Sequence, residues 1–203
     1  MKTGAIVACT DFPCHDVRRA RNLVPGLDLD PASITVMLIS EAAPENPADD
    51  YYAGPEALFV RTTVLAFREA GAPVASIGDI LQLGVYLTTA VKCGKVGPGL
   101  AADTVEHCSQ LLEKEIALFP NVRAFLLMGD VAIRAINTIA RRRGEPRVIP
   151  AGSTYKIRGR EFHFRSARAF PSYVQAGPAF FVEKGKRRMI AEDIAQALRF
   201  AGN

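Results

Sequence analysis

The chain has 203 residues, 49% of them hydrophobic and 23% charged, with 25 Lys+Arg against 21 Asp+Glu for a formal net charge of +4. That length fits one domain over residues 1–203 with a sizeable core, and the ordinary composition excludes a low-complexity chain. The apolar runs are too short to span a bilayer and residues 4–8 lack the length of a signal-peptide core, so the expectation is a cytoplasmic monomer that makes no membrane contact and keeps its thiols reduced.

Elements follow one another as alternating strands and helices. Residues 34–39, apolar and β-branched, suit a strand buried on both faces, and the polar turn Ser40-Glu41-Ala42-Ala43-Pro44 ends it. Residues 44–55 are rich in Pro, Asp and Asn and read as loop, and a helix over 55–70 has Pro55 at its start and Gly71 just past its end. Residues 85–91 form a second strand and 92–100, with three glycines, a second loop. Asp103 with Glu106 predicts a capping box on a helix whose buried stripe is Val105, Cys108, Leu112, Ile116 and Phe119. Residues 124–128 form a third strand, and the helix after Gly129 runs to Arg143 and stops at Gly144. Residues 155–158 and 161–165 flank Gly159 like a hairpin. Residues 168–170 lead into Pro171-Ser172-Tyr173, and a final helix covers 178–200.

This alternation predicts an α/β fold, a three-layer sandwich with a central, mostly parallel sheet of about four strands flanked by helices. Ligands of such sheets sit at the carboxyl ends of the strands, which points to the loops 40–54, 92–99 and 171–175.

Four cysteines form two distant pairs, Cys9 with Cys14 and Cys93 with Cys108. Four thiolates match the need of a [4Fe–4S] cluster. Buried free thiols, or a zinc site completed by His15 or His107, are the alternatives left open by spacing alone. Three basic groups stand out: Arg18, Arg19 and Arg21; Arg141, Arg142 and Arg143; and Lys184, Lys186, Arg187 and Arg188. Each alone reads as a solvated helix end, while three together raise the expectation of a phosphate-bearing partner.

At the strand-end loops the chain resembles the uracil-DNA glycosylase superfamily, closest to its iron–sulfur (family 4) branch. Ser40-Glu41-Ala42-Ala43-Pro44 is similar to that family's Gly-Glu-Ala-Pro-Gly, and Tyr86-Leu-Thr-Thr-Ala-Val-Lys-Cys93 to its Tyr-Ile-Thr-Asn-Val-Val-Lys-Cys. Cys108 falls where the family places its next cluster cysteine, and Phe170-Pro171-Ser172 stands where it has His-Pro-Ser. The resemblance implies a [4Fe–4S] cluster on Cys9, Cys14, Cys93 and Cys108, and DNA, single- or double-stranded, as partner.

It also implies base flipping and cleavage of the bond to the sugar through an oxocarbenium-like transition state. In that scheme Tyr51, with Tyr52 as rival, stacks on the base. Glu41, or Asp49 or Asp50, positions water. Lys184, Lys186, Arg187 and Arg188 hold DNA phosphate beside the pocket. For Glu41 the alternative is a carboxylate capping backbone N–H groups; for Asp49 and Asp50 it is turn chemistry.

Two departures bear on activity. The Asn that reads the uracil edge is replaced by Thr89, which lacks the paired donor and acceptor of an amide. The His that donates toward the departing base is replaced by Phe170, and losing one such donor typically costs about 10²–10³ in rate. Ser172 and Tyr173 are candidate substitutes, and His163 reads as an ordinary strand residue. The leading expectation is a DNA repair glycosylase acting on uracil or another deaminated or damaged base. A catalytically weak or inactive damage-binding protein of the same fold competes with it, and a small-molecule nucleoside hydrolase ranks third.

Overall fold

A computed structural model describes residues 7–9, 13–18, 27–97 and 99–202. Within it, β2 (Val36–Ala43), β3 (Val85–Lys95), β4 (Ala124–Met128) and β6 (Ala167–Ser172) lie parallel in the order β3-β2-β4-β6. The first three match the strands expected at 34–39, 85–91 and 124–128, with β2 and β3 running on into the expected turn and loop, and β6 completes the set of about four. Two short antiparallel strands extend the edges: β1 (Val17–Arg18) pairs with β3, and β5 (Phe162–Phe164) with β6. Successive residues of β2 serve opposite faces. Met37 and Ile39 join the core cluster under α3 (Ala102–Ile116) and α4 (Asp130–Arg142). Val36 and Leu38 join the one under α1 (Leu58–Glu69) and α7 (Lys184–Ala201). Both faces are covered, so three layers follow from the sequence pattern.

Helix starts and stops depart from expectation for identifiable reasons. Helix α1 begins at Leu58, whose N–H is 3.4 Å from an Asp49 carboxylate oxygen, and stops just before Gly71 at φ +88. The short α2 (Ile77–Gln82) was not foreseen, although Ser76 and Asp79 form a reciprocal capping box there. On α3 the expected Asp103–Glu106 box is not formed, and Asp16 caps the helix from the N-terminal segment instead. Its carboxylate accepts from the Ala101 N–H at 2.6 Å and from the Thr104 hydroxyl at 2.5 Å.

The hairpin expected around Gly159 is corrected: residues of its first arm lie in α5 (Thr154–Ile157), and the antiparallel turn sits instead between Phe164 and Ala167. Arg165 takes that turn at φ 56, tied to Glu113 at 3.0 Å. The final helix is also divided. Glu183 (ψ 69) separates α6 (Ala179–Val182) from α7, which lets Phe180 bury while the basic run stays at the surface. No helix among the described residues is long and apolar enough to cross a membrane.

A buried polar network holds the end of β3 to α3. Lys92 and Glu115 are 1% and 0% exposed and ion-paired through Nζ and Oε2. Lys92 also donates to the Thr88 hydroxyl at 2.6 Å and the Thr89 carbonyl at 2.5 Å. Glu115 accepts further from the Tyr86 phenol at 2.7 Å and from Thr88 at 3.0 Å. A buried charge is tolerated when it is paired and hydrogen-bonded, and removing one partner strands the other. Glu115→Ala is therefore expected to lower the unfolding free energy by about 3–5 kcal/mol. The pair Lys92→Met with Glu115→Leu is expected to recover most of that loss in urea denaturation.

Asp16 carries a pH prediction. Burial opposes its ionisation, but the Thr104 hydroxyl and the Ala101 N–H outweigh that and hold its carboxyl below the usual range. The unfolded state then binds the proton more readily, so this contribution is present at neutral pH and lost as pH falls. The destabilisation caused by Asp16→Ala is expected to be full at pH 7 and to fade as pH drops through about 4 toward 2, read from thermal unfolding midpoints.

Candidate active site

At the carboxyl ends of the parallel strands lies a cavity of about 430 Å³, lined by Ser40, Glu41, Phe59, Lys95 and Val174 among others. That volume is inside the about 300–1,000 Å³ range of small-molecule sites. Glu41 is half-buried and leans on the first turn of α4, with Oε1 3.5 Å from the Val131 N–H. It fits there because residue 129 is glycine: a Cβ would lie 2.7 Å from Glu41 Oε1 and 2.5 Å from Val174 Cγ2. The same residue is at φ +99, a conformation that also favours glycine. Glu41 is thus both a helix-end partner and a carboxylate facing the cavity.

The aromatic facing that space is Phe59, with Tyr51 behind it at a centroid distance of 5.3 Å. Tyr51 is 2% exposed and its hydroxyl is enclosed. It donates to Ser40 Oγ at 2.8 Å and accepts from Gln175 Nε2 at 2.7 Å, and burial raises the phenol above its ordinary range. Gln175 is fully buried with Oε1 lacking a partner, an uncommon state that costs about 1–3 kcal/mol where it persists. Sequence reasoning passed over Phe59, Ser40, Lys95 and Gln175. Phe59 has no assigned role within the helix expected over 55–70, and Gln175 carries no motif although it closes the expected 171–175 loop.

Other expected residues are placed elsewhere. Tyr52 turns away and donates to the Leu87 carbonyl at 2.9 Å, with burial raising its phenol. Asp50 accepts the Tyr51 N–H at 2.6 Å, and burial raises its carboxyl despite that bond and the Lys92 charge. It does not line the cavity. Thr89 is buried with its hydroxyl donated to the Val91 carbonyl at 2.9 Å. Phe170 is 2% exposed in the core beneath α7, beside Phe200 and the Arg168 guanidinium. Ser172 is fully buried and donates at 2.6 Å to Asp193, which also pairs with Arg158, so it holds α7 to β6. Tyr173 is half-buried beneath the Lys186 ammonium. His163 is exposed on β5. A larger cavity of about 650 Å³ lies between α1 and α2, with Tyr51, Tyr52 and Phe181 in its wall. It is mostly apolar and no carboxylate lines it.

The basic groups divide by partner. Arg187 grips Glu69 in a forked pair, Nε at 2.8 and 2.7 Å, which joins α7 to α1. Lys186 contacts Glu183 at 2.9 Å and Arg188 contacts Glu192 at 3.3 Å. Lys184, Lys186 and Arg188 are exposed. Arg142, Arg143 and Arg165 converge on Glu113, and Arg141 meets Glu106, so that group ties helices together. Arg18 pairs with Glu45 at 3.1 Å, and Arg19 and Arg21 lie outside the described residues.

None of the four cysteines is in a disulfide; Cys93 and Cys108 are buried and Cys9 and Cys14 half-buried. Cys14 packs on the same core cluster as Cys93 and Cys108, and burial pushes the Cys14 and Cys108 thiols up. The donors are of the right kind and on one flank. Among the described residues, however, no three His, Cys, Asp or Glu side chains are gathered to hold a metal. His15 and His107 are exposed.

Comparison with known proteins agrees with this architecture. The chain is 28% identical over 131 residues to a protein of Thermus thermophilus named Type-5 uracil-DNA glycosylase, a match covering 64% of this chain. The matched stretch spans 57% of that relative's length. A model of the uracil DNA glycosylase superfamily matches residues 28–191, which hold the parallel sheet, the cavity and most of the flanking helices, so the chain belongs to that superfamily.

Proposed function

We propose that this protein is a DNA glycosylase that draws a uracil or another deaminated base out of the stack and cleaves its bond to the sugar. The observation that carries the reading is the strand-end cavity in which Glu41, on a helix N-terminus, shares the wall with Phe59. A flipped base stacks on Phe59, an interaction worth about 1–3 kcal/mol per base in nucleic-acid complexes. Glu41 orients the attacking water and stabilises positive charge growing on the sugar. Lys95 in the wall, with exposed Lys184, Lys186 and Arg188, meets backbone phosphate and confers salt-dependent, sequence-tolerant binding.

The second reading, a damage-binding protein without excision, is favoured by Thr89 and Phe170. The hydroxyl of Thr89 is already donated, and Phe170 is buried in the core, so neither stands in for the family's Asn or His.

We infer also that Cys9, Cys14, Cys93 and Cys108 hold a [4Fe–4S] cluster. Such a cluster would pin the N-terminal segment to β3 and α3. The support is that Cys14 packs on the core cluster holding Cys93 and Cys108, with Asp16 already fastening that segment to α3.

Wild type is expected to release uracil, or hypoxanthine or xanthine, from oligonucleotides carrying them. Glu41→Gln is expected to bind equally and turn over about 10²–10³ times more slowly. Binding without release of any base by wild type would establish the second reading. Anaerobically purified protein is expected to be brown with about four irons per chain, and Cys93→Ser to lose that colour along with thermal stability. A colourless protein containing zinc or no metal would overturn the cluster.

A further inference from the structure

Behind the cavity wall three buried groups form a hydrogen-bond chain whose direction is set by their chemistry. Gln175 is fully buried, and its Nε2 donates to the Tyr51 hydroxyl at 2.7 Å and lies 3.5 Å from Thr63 Oγ1. With that lone pair engaged, the single phenol proton is directed to Ser40 Oγ at 2.8 Å. Ser40 has then accepted, and its own proton points to the Thr88 carbonyl at 3.4 Å, a contact too long to be strong. With the amide set this way, Gln175 Oε1 is the atom left without a hydrogen-bond partner. The chain therefore runs one way, from Gln175 through Tyr51 to Ser40.

We propose that Ser40 is a specificity-determining donor of the cavity and that Gln175 and Tyr51 are positioning residues that fix its polarity. The proposal deepens the glycosylase reading and rests on it for the nature of the ligand. Ser40 lines the cavity, and its weak bond to Thr88 is readily exchanged for a ligand oxygen. Thr89, at the position of the family's reading Asn, has its hydroxyl committed to Val91. A base presenting an exocyclic carbonyl, such as uracil, hypoxanthine or xanthine, meets this donor with an acceptor. An exocyclic amino group, as in cytosine or adenine, meets it donor to donor.

The test uses the whole protein and single-stranded oligonucleotides that differ at one position. One carries 2′-fluorinated deoxyuridine, whose glycosidic bond resists cleavage, and the other its cytosine counterpart. Wild type is expected to prefer the uracil strand by at least about tenfold, the worth of one buried hydrogen bond. Ser40→Ala is expected to lose most of that preference. Tyr51→Phe, which keeps the ring, and Gln175→Met, which keeps the length, are expected to lose it as well, because Ser40 is then free to accept. A purely structural role would lower stability but leave the uracil-to-cytosine ratio unchanged. An unchanged ratio in folded Tyr51→Phe, or no preference in wild type, would overturn the proposal. Release of base from ordinary deoxyuridine, followed separately, tests the glycosylase reading: retained preference without release sinks that reading and leaves the donor assignment standing.

Discussion

A lysine that is 1% exposed sets the terms for much of this molecule. Its charge has to be met where it lies, and Lys92 is met by Glu115 from α3 together with Thr88 and Thr89 of its own strand. These contacts reach back along the strand to the Thr89 carbonyl, so the backbone of β3 is fixed up to Cys93, the strand residue after Lys92. The same pair anchors α3, whose N-terminus receives Asp16 and whose inner face carries Cys108. One ion pair thus places both internal cysteines, and through them the flank on which the N-terminal thiols lie.

The opposite boundary of the site is set by space rather than charge. Gly129 leaves room that any side chain would take from Glu41 and Val174, and Gly94 does the same between β3 and the loop at Pro44, whose carbonyl would lie 2.8 Å from a Cβ. Strand ends that in a generic sandwich would be closed by side chains are here drawn close through bare backbone. The carboxylate can therefore sit against a helix N-terminus while still lining the cavity. The aromatic layer is double: Phe59 meets the cavity, and Tyr51 behind it converts bulk into a directed hydrogen bond. Charge on one side, a ring on another and a polarised hydroxyl at the base are what excision of a flipped nucleobase requires.

The sheet was legible because buried parallel strands leave continuous apolar runs, and β4 over Ala124–Met128 matches its run residue for residue. Helix α4 was legible from Gly129 and Gly144 at its ends. Features that depend on distant partners were not. Asp16 displaced the local capping box on α3, and Arg165 made a turn that glycine was expected to make at 159. Short α2 has too few residues to display a period. The motif around Glu41 marks the strand end that lines this cavity. Nearby expected residues are engaged elsewhere: Tyr51, Thr89 and Ser172 in hydrogen bonds, and Phe170 against Phe200. Phe59 lies outside the motifs, and Gln175 closes the expected 171–175 loop without belonging to one, so only the fold gives them their places. Resemblance pointed to the loops, and side-chain direction decides which of their residues face the cavity.

The central claim is that the base is received at the strand ends, between Phe59 and Glu41. A crystal structure with an oligonucleotide carrying 2′-fluorinated deoxyuridine tests it most directly. The account predicts the uracil ring stacked on Phe59, its sugar below the Glu41 carboxylate and a carbonyl oxygen within hydrogen-bond distance of Ser40. A base held between α1 and α2 beside Tyr52 and Phe181, or one left stacked in the strand with the strand-end cavity empty, would contradict it.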